Sequence, residues 1–140
     1  MNESDAQKIL YRDFIKDKRH VLAVPNCKAL YPPGESDLIS VTKAGLVHEF
    51  EIKRTERDFL RDFKQKEYKH EVLEEGKSPE SRCTPNYFWF AATRGVCEKI
   101  DPPEYAGLIC VGRNDTEVRK EAPRLHSDHI TDRARQYLER

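Results

Sequence analysis

No apolar run in this 140-residue chain approaches the roughly 20 residues needed to cross a bilayer, so a membrane partner is not expected. Net charge is missing too: 25 Lys and Arg cancel 25 Asp and Glu. That balance argues against a histone-like binder, which depends on a strongly basic total. It leaves room for a nucleic-acid enzyme whose acidic site binds cations. There is no C-x-x-C pair. Cys27, Cys83, Cys97 and Cys110 are scattered, whereas zinc or an iron–sulfur cluster calls for closely spaced ligands; reduced thiols are the expectation. The opening "MNESDAQKIL" lacks the basic-then-apolar layout of a signal peptide. With no internal repeat and no internal boundary, residues 1–140 read as a single soluble, cytoplasmic domain. A chain of this length buries roughly two-thirds of its unfolded surface.

The apolar pattern then orders the elements. Residues 4–18 have helical spacing, with Ile9, Leu10, Phe14 and Ile15 as the buried stripe and Ser4 or Asp5 as the N-cap. "HVLAVPNC" is a strand closed by Pro25-Asn26, and "DLISVT" and "LVHEFEIK" are two more, joined by "KAG" with Gly45 free to take positive φ. A helix from Thr55 to about Glu75 follows, with Phe59, Leu60, Phe63, Tyr68 and Val72 inward and Gly76 as its stop. The segment 76–86 reads as loop. "YFWFAAT" is apolar on both faces, which places it centrally, and "LICVGR" is a fifth strand. A short helix over 127–140 is expected at the end. The fold class is α/β, a layered mixed sheet flanked by helices.

The chemistry concentrates in "HEFEIK". Alternation puts His48, Phe50 and Ile52 on one face of the strand and Glu49, Glu51 and Lys53 on the other. The heads of Glu51 and Lys53 then stand roughly 7 Å apart along one face. In an antiparallel hairpin turning at 43–45, Asp37 lies at the end of the partner strand, beside Glu51 to Lys53. Two carboxylates and one ammonium at one sheet end suit a hard divalent cation such as Mg2+, which takes oxygen ligands and keeps several waters. Asp37, Glu51 and the backbone carbonyl of Ile52 are the candidate ligands. Lys53 is the candidate for orienting an attacking water. Glu49 is open between a second metal ligand and a solvated side chain. The plainer alternative is a solvated strand edge with a cross-strand ion pair.

"ESDLISVTKAGLVHEFEIK" resembles the D-x(n)-E-x-K signature of the PD-(D/E)XK nuclease superfamily, with Asp37, Glu51 and Lys53 at its three positions. "RTERDFLRDFKQKEYKH" is similar to the helix after that signature in small DNA-repair and phage-borne members, where a D-F pair and a K-rich stretch with K-H recur. The resemblance covers about residues 4–112 and implies a restriction-endonuclease-like αβββαβ core, catalytic Asp37, Glu51 and Lys53, and Mg2+, replaceable by Mn2+. Hydrolysis of DNA phosphodiesters is the implied activity. There are departures. Ser36 stands where the signature's Pro would be. Gln65 and Tyr68 are one residue too close for the Q-x-x-x-Y of RecB-type domains. Some members add a Glu from the first helix, and Glu3 is the residue available for that role here. Members often cut as dimers, so a homodimer or a repair or recombination complex is implied as well.

Arg54, Arg57, Arg61 and Lys64 recur at three- and four-residue spacing and share a helix face. They are the candidate DNA-binding stripe, with Lys66, Lys69 and His70 extending it. Interleaved acids allow the alternative of a solvated helix laced with ion pairs. Two rival functions remain beside the nuclease: a catalytically silent DNA- or partner-binding module on a nuclease fold, and a metal-independent interaction protein.

Overall fold

The computed structural model describes residues 2–31, 34–75 and 84–130. Helix α1 (Glu3–Ile9) continues through π-helical turns over Leu10–Ile15. It is followed by β1 (Leu22–Tyr31), β2 (Gly34–Val41), β3 (Val47–Lys53), α2 (Glu56–Gln65) and α3 (Glu67–Glu75). Then come β4 (Tyr87–Thr93), the one-turn α4 (Arg94–Cys97), β5 (Ala106–Val111) and β6 (Thr116–Lys120). The strands form one six-stranded sheet in sequence order. β1–β2, β2–β3 and β5–β6 pair antiparallel, while β3–β4 and β4–β5 are parallel. Parallel neighbours require crossovers, and α2–α3 and α4 supply them. The architecture is thus a mixed α/β sheet flanked by helices. Among the described residues no helix is long and apolar enough to cross a membrane.

The two faces of the sheet differ in chemistry. On one, Ala6, Ile9, Leu10, Phe14 and Ile15 pack on Leu38, Phe50, Trp89, Ala91, Ile109 and Val111. The expected α1 stripe is the buried one, although the cap is Asn2, reciprocally bonded with Asp5, rather than Ser4 or Asp5. On the other face Phe59 and Leu73 cover Phe88, Phe90, Ala92, Leu108 and Cys110. β4 is central, and Phe88, Phe90 and Ala91 have no exposed surface. Burial of each such side chain contributes about 1.5–3 kcal/mol. Gly45 turns the β2–β3 hairpin at φ 88°, a conformation costly for any side-chain-bearing residue.

Four expectations change. The helix from Thr55 breaks at Lys66 (φ −124°, ψ 43°), giving α2 and α3 instead of one rod. Leu60 points outward at 57% exposure and Leu73 is buried in its place. A sixth strand lies beyond residue 112. "TEVRK" has no apolar face of its own and is held by backbone pairing to β5. Residues 127–130 form no helix. Their backbone is drawn out instead: Asn86 Nδ2 donates to the carbonyls of His126 and Asp128, and Ile130 N–H bonds the Gly45 carbonyl. The remainder of that expected helix, the Gly76 stop and Cys83 lie outside the described residues. Tyr68 is helical, but its side chain is not described.

His48 sits inside the α1-side core, stacked near Tyr87 with ring centroids 4.5 Å apart. Its Nδ1 accepts the Trp89 indole N–H at 3.0 Å. Burial, and then the neighbouring His20, push its pKa down to about 3 from 6.5. The folded state keeps this ring neutral while the unfolded chain takes up a proton below about pH 6.5. Stability is therefore full above that pH and is lost as pH falls toward 3, at up to about 1.4 kcal/mol per pH unit. His48→Gln retains an acceptor for Trp89 and does not titrate. Urea denaturation at pH 7 and pH 4.5 is expected to show a smaller acid loss in this variant than in the wild type.

Candidate active site

The polar site lies on the α2–α3 face, at the end of β3 away from the hairpin. Regular β2–β3 pairing runs from Val41–Val47 to Leu38–Phe50. Beyond it, the Asp37 carboxylate takes over from the ladder, accepting the Ile52 N–H at 2.7 Å. In an extended strand the N–H and C=O of a residue share an edge, so the Ile52 carbonyl lies on the Asp37 side of β3. Gln7 of α1 donates to the Asp37 carbonyl at 2.7 Å, and the Glu3 carboxyl is near enough to the Asp37 carboxyl to raise its pKa. Asp37, Glu51 and Glu3 are thereby brought to one place.

Glu49 and Glu51 are 0% and 1% exposed. The solvated-edge reading of "HEFEIK" is therefore corrected, as is a solvated Glu49. Lys69, from α3, bridges Glu49 Oε2 and Glu51 Oε1 at 2.7 Å each. Lys66, at the helix break, reaches Glu51 Oε1 at 2.8 Å and Asp62 Oδ1 at 3.4 Å. Lys53 lies 2.6 Å from Asp62 Oδ1 and 3.9 Å from Glu51 Oε2. Asp62 Oδ2 meets His70 Nε2 at 2.5 Å, and His70 Nδ1 meets the Tyr105 hydroxyl at 2.6 Å. Ser36 donates to Glu49 Oε2 at 2.8 Å, so the residue replacing the signature's Pro serves the buried acid. Glu49 Oε1 has no partner among the described residues.

Lys66, Lys69 and His70 therefore do not extend the exposed basic stripe of Arg54, Arg57, Arg61 and Lys64; they turn inward. They follow Phe59 and Asp62 at three- and four-residue spacing, which is the helix face turned toward the sheet, whereas Arg57, Arg61 and Lys64 lie on the opposite face. Asp62 and Tyr105 were not anticipated as site residues. The recurring D-F and K-H pairs, here Asp62-Phe63 and Lys69-His70, were the available signal. Arg54, Arg57, Arg61 and Lys64 are all exposed.

The protonation states follow from this crowding. Burial first, then the Glu51 charge and the neighbouring Glu3 carboxyl, raise the Asp37 pKa to about 9. Burial also opposes ionisation of Glu51, but Lys69 and Lys66 overcome it and hold that carboxyl below its ordinary value. Asp62 is lowered against burial by His70 and Lys53. Lys69 is raised, Glu49 and Glu51 outweighing burial. Two carboxyls that cannot both ionise at neutral pH form a site that a cation would relieve. Among the described residues no group of three or more His, Cys, Asp or Glu is arranged to hold a metal ion. Magnesium needs fewer, since one or two carboxylates plus waters suffice, and the Asp37–Glu51 pair fits that requirement.

A search of protein-family models finds no match to this chain. Curated proteins give no match either. Among solved structures, SPO1766, a protein of unknown function from Silicibacter pomeroyi, is similar, with a TM-score of 0.70 and 16% identity. The match covers 99% of this chain and 82% of that one. At that identity the likeness concerns the fold alone.

Two stability changes test the electrostatics. Asp37 is raised in the folded state, so its contribution is favourable below about pH 4 and is lost as pH rises toward 9. Asp37→Asn keeps an acceptor for Ile52 without the charge. It is expected to stabilise the metal-free protein at pH 7–8 by on the order of 1–3 kcal/mol, a gain that vanishes near pH 4 in calorimetric melts. Lys69→Met leaves the buried Glu49 with no cation among the described residues and Glu51 with Lys66 and the more distant Lys53, and chemical denaturation should show a loss of roughly 3–5 kcal/mol.

Proposed function

We propose that this protein is a metal-dependent nuclease that hydrolyses DNA phosphodiester bonds on a restriction-endonuclease-like core of the PD-(D/E)XK type. The observation that carries the reading is the meeting of Asp37 and Glu51, two mutually repelling carboxyls, at one end of the β2–β3 pair with the Lys53 amine beside them. The α-β-β-β-α-β order of α1 to β4 is the order the resemblance implies, and it favours the same reading.

Asp37 and Glu51 would hold Mg2+ or Mn2+, with the Ile52 carbonyl and Glu3 on the same side of the site and Glu49 behind it. The bound cation supplies Lewis acidity toward the phosphate oxygen and acidity to its waters. Lys53, fixed on the face of Glu51, donates from its ammonium to the attacking water and balances the phosphodiester charge. Glu51 holds its negative charge at neutral pH because Lys66 and Lys69 keep it ionised. The exposed stripe Arg54, Arg57, Arg61 and Lys64 grips the phosphates flanking the cut. Each such contact adds about 0.9 to the slope of log affinity against log salt.

The test is incubation of the purified protein with linear and circular duplex DNA in Mg2+, Mn2+ or chelator, beside Lys53→Ala. Metal-dependent cutting that the variant loses is the expected result, and circular substrate distinguishes endonuclease from exonuclease action. A metal-dependent rise in melting temperature and DNA binding without cutting would instead assign a silent binding module. No metal response at all would end the nuclease reading.

A further inference from the structure

Lys53 is closer to a helix acid than to its signature neighbour: 2.6 Å to Asp62 Oδ1 against 3.9 Å to Glu51 Oε2. A four-carbon amine on a strand end has several rotamers, and Glu51 alone does not select one, since its Oε1 is already shared by Lys66 and Lys69. Asp62 does select one. It is 1% exposed, projects from the middle of α2, and is itself held. His70 from α3 takes its second oxygen, and Tyr105 from the β4–β5 connection takes the other ring nitrogen of His70. Both His70 states satisfy the line: a neutral ring donates from Nε2 and accepts the Tyr105 hydroxyl, and a charged ring donates from both nitrogens. The carboxylate is thus held on Oδ2 through His70 and Tyr105, while Oδ1 takes the Lys53 amine at 2.6 Å, with Lys66 more distant on the same oxygen at 3.4 Å.

We propose that Asp62 is the positioning residue for Lys53 in the hydrolysis, braced by His70 and Tyr105. The proposal rests on the nuclease reading above. It makes Asp62 neither a metal ligand nor a DNA contact; it acts only through the Lys53 amine.

The experiment measures single-turnover cleavage in Mg2+, DNA affinity in Ca2+ and melting temperature for Asp62→Asn, Asp62→Glu, His70→Ala and Lys53→Ala, and for Asp62→Asn combined with Lys53→Ala. The expected result is a fall in cleavage rate of about 100-fold in Asp62→Asn, the scale of a misplaced catalytic group, with DNA affinity unchanged and partial recovery in Asp62→Glu. In the Lys53→Ala background Asp62→Asn costs nothing further. Acetylation of Lys53 by acetic anhydride in the metal-free protein, read by mass spectrometry, rises in Asp62→Asn. Should Asp62→Asn melt below the assay temperature, His70→Ala, which leaves the carboxylate but removes its brace, is judged by the same criteria. Wild-type cleavage rates in Asp62→Asn, a further loss in the Lys53→Ala background, or unchanged Lys53 acetylation would each overturn the positioning role while leaving the nuclease reading intact. Absence of cleavage by the wild type in both Mg2+ and Mn2+ would overturn the nuclease reading and the proposal with it.

Discussion

Three carboxylates, Glu49, Glu51 and Asp62, lie almost wholly buried between the sheet and the α2–α3 helices, and each must be matched. An ionised carboxylate removed from water without a partner is prohibitively costly, so the surrounding chain is arranged around this demand. Lys53, Lys66 and Lys69 bring three amines to the three acids. Ser36 and His70 supply further donors or partners. Lys66 and Lys69 stand at successive four- and three-residue steps from Asp62, so the helical period itself turns these amines toward the buried acids.

The opposite face of the sheet carries the ordinary stabilising load. There α1 presses aliphatic and aromatic side chains onto Phe50, Trp89 and Ile109, and the polar groups are paired, His48 with Trp89 and Ser40 with His20. The division is informative. One layer supplies hydrophobic burial, and the other spends part of its area on charges that a structural protein could replace with apolar residues at little cost or at a gain. Asp37 sharpens the point, because its carboxyl is held among like charges and in low-dielectric surroundings. A cluster of perturbed groups like this one is a candidate functional site, although structural ion-pair networks perturb carboxyls in the same way.

Much of this was legible in the chain. The period-two alternation of "HEFEIK" separates Glu49, Glu51 and Lys53 from Phe50 and Ile52, and the "KAG" turn places Asp37 opposite Glu51. The stripe of α1, the central position of "YFWFAAT" and the positive φ of Gly45 follow from equally local rules. The misses have a common origin. Asn2 rather than Ser4 or Asp5 caps α1, "TEVRK" becomes a strand through the backbone of β5, and residues 127–130 are pulled straight by Asn86 and the Gly45 turn. In each case the deciding partner is a backbone group or a side chain whose pull leaves no mark on hydrophobic periodicity.

Sequence by itself determined which side of each strand and of α1 a residue occupies, because side-chain direction repeats with the backbone period and needs no knowledge of distant neighbours. It therefore placed Asp37, Glu51 and Lys53 together. Only the tertiary structure decided that Lys66 and Lys69 neutralise Glu49 and Glu51, that Asp62 holds Lys53, and that Tyr105 closes the line through His70. Those pairings join residues from different elements, and Coulomb attraction selects among many charged candidates only after packing has fixed which of them share a buried space.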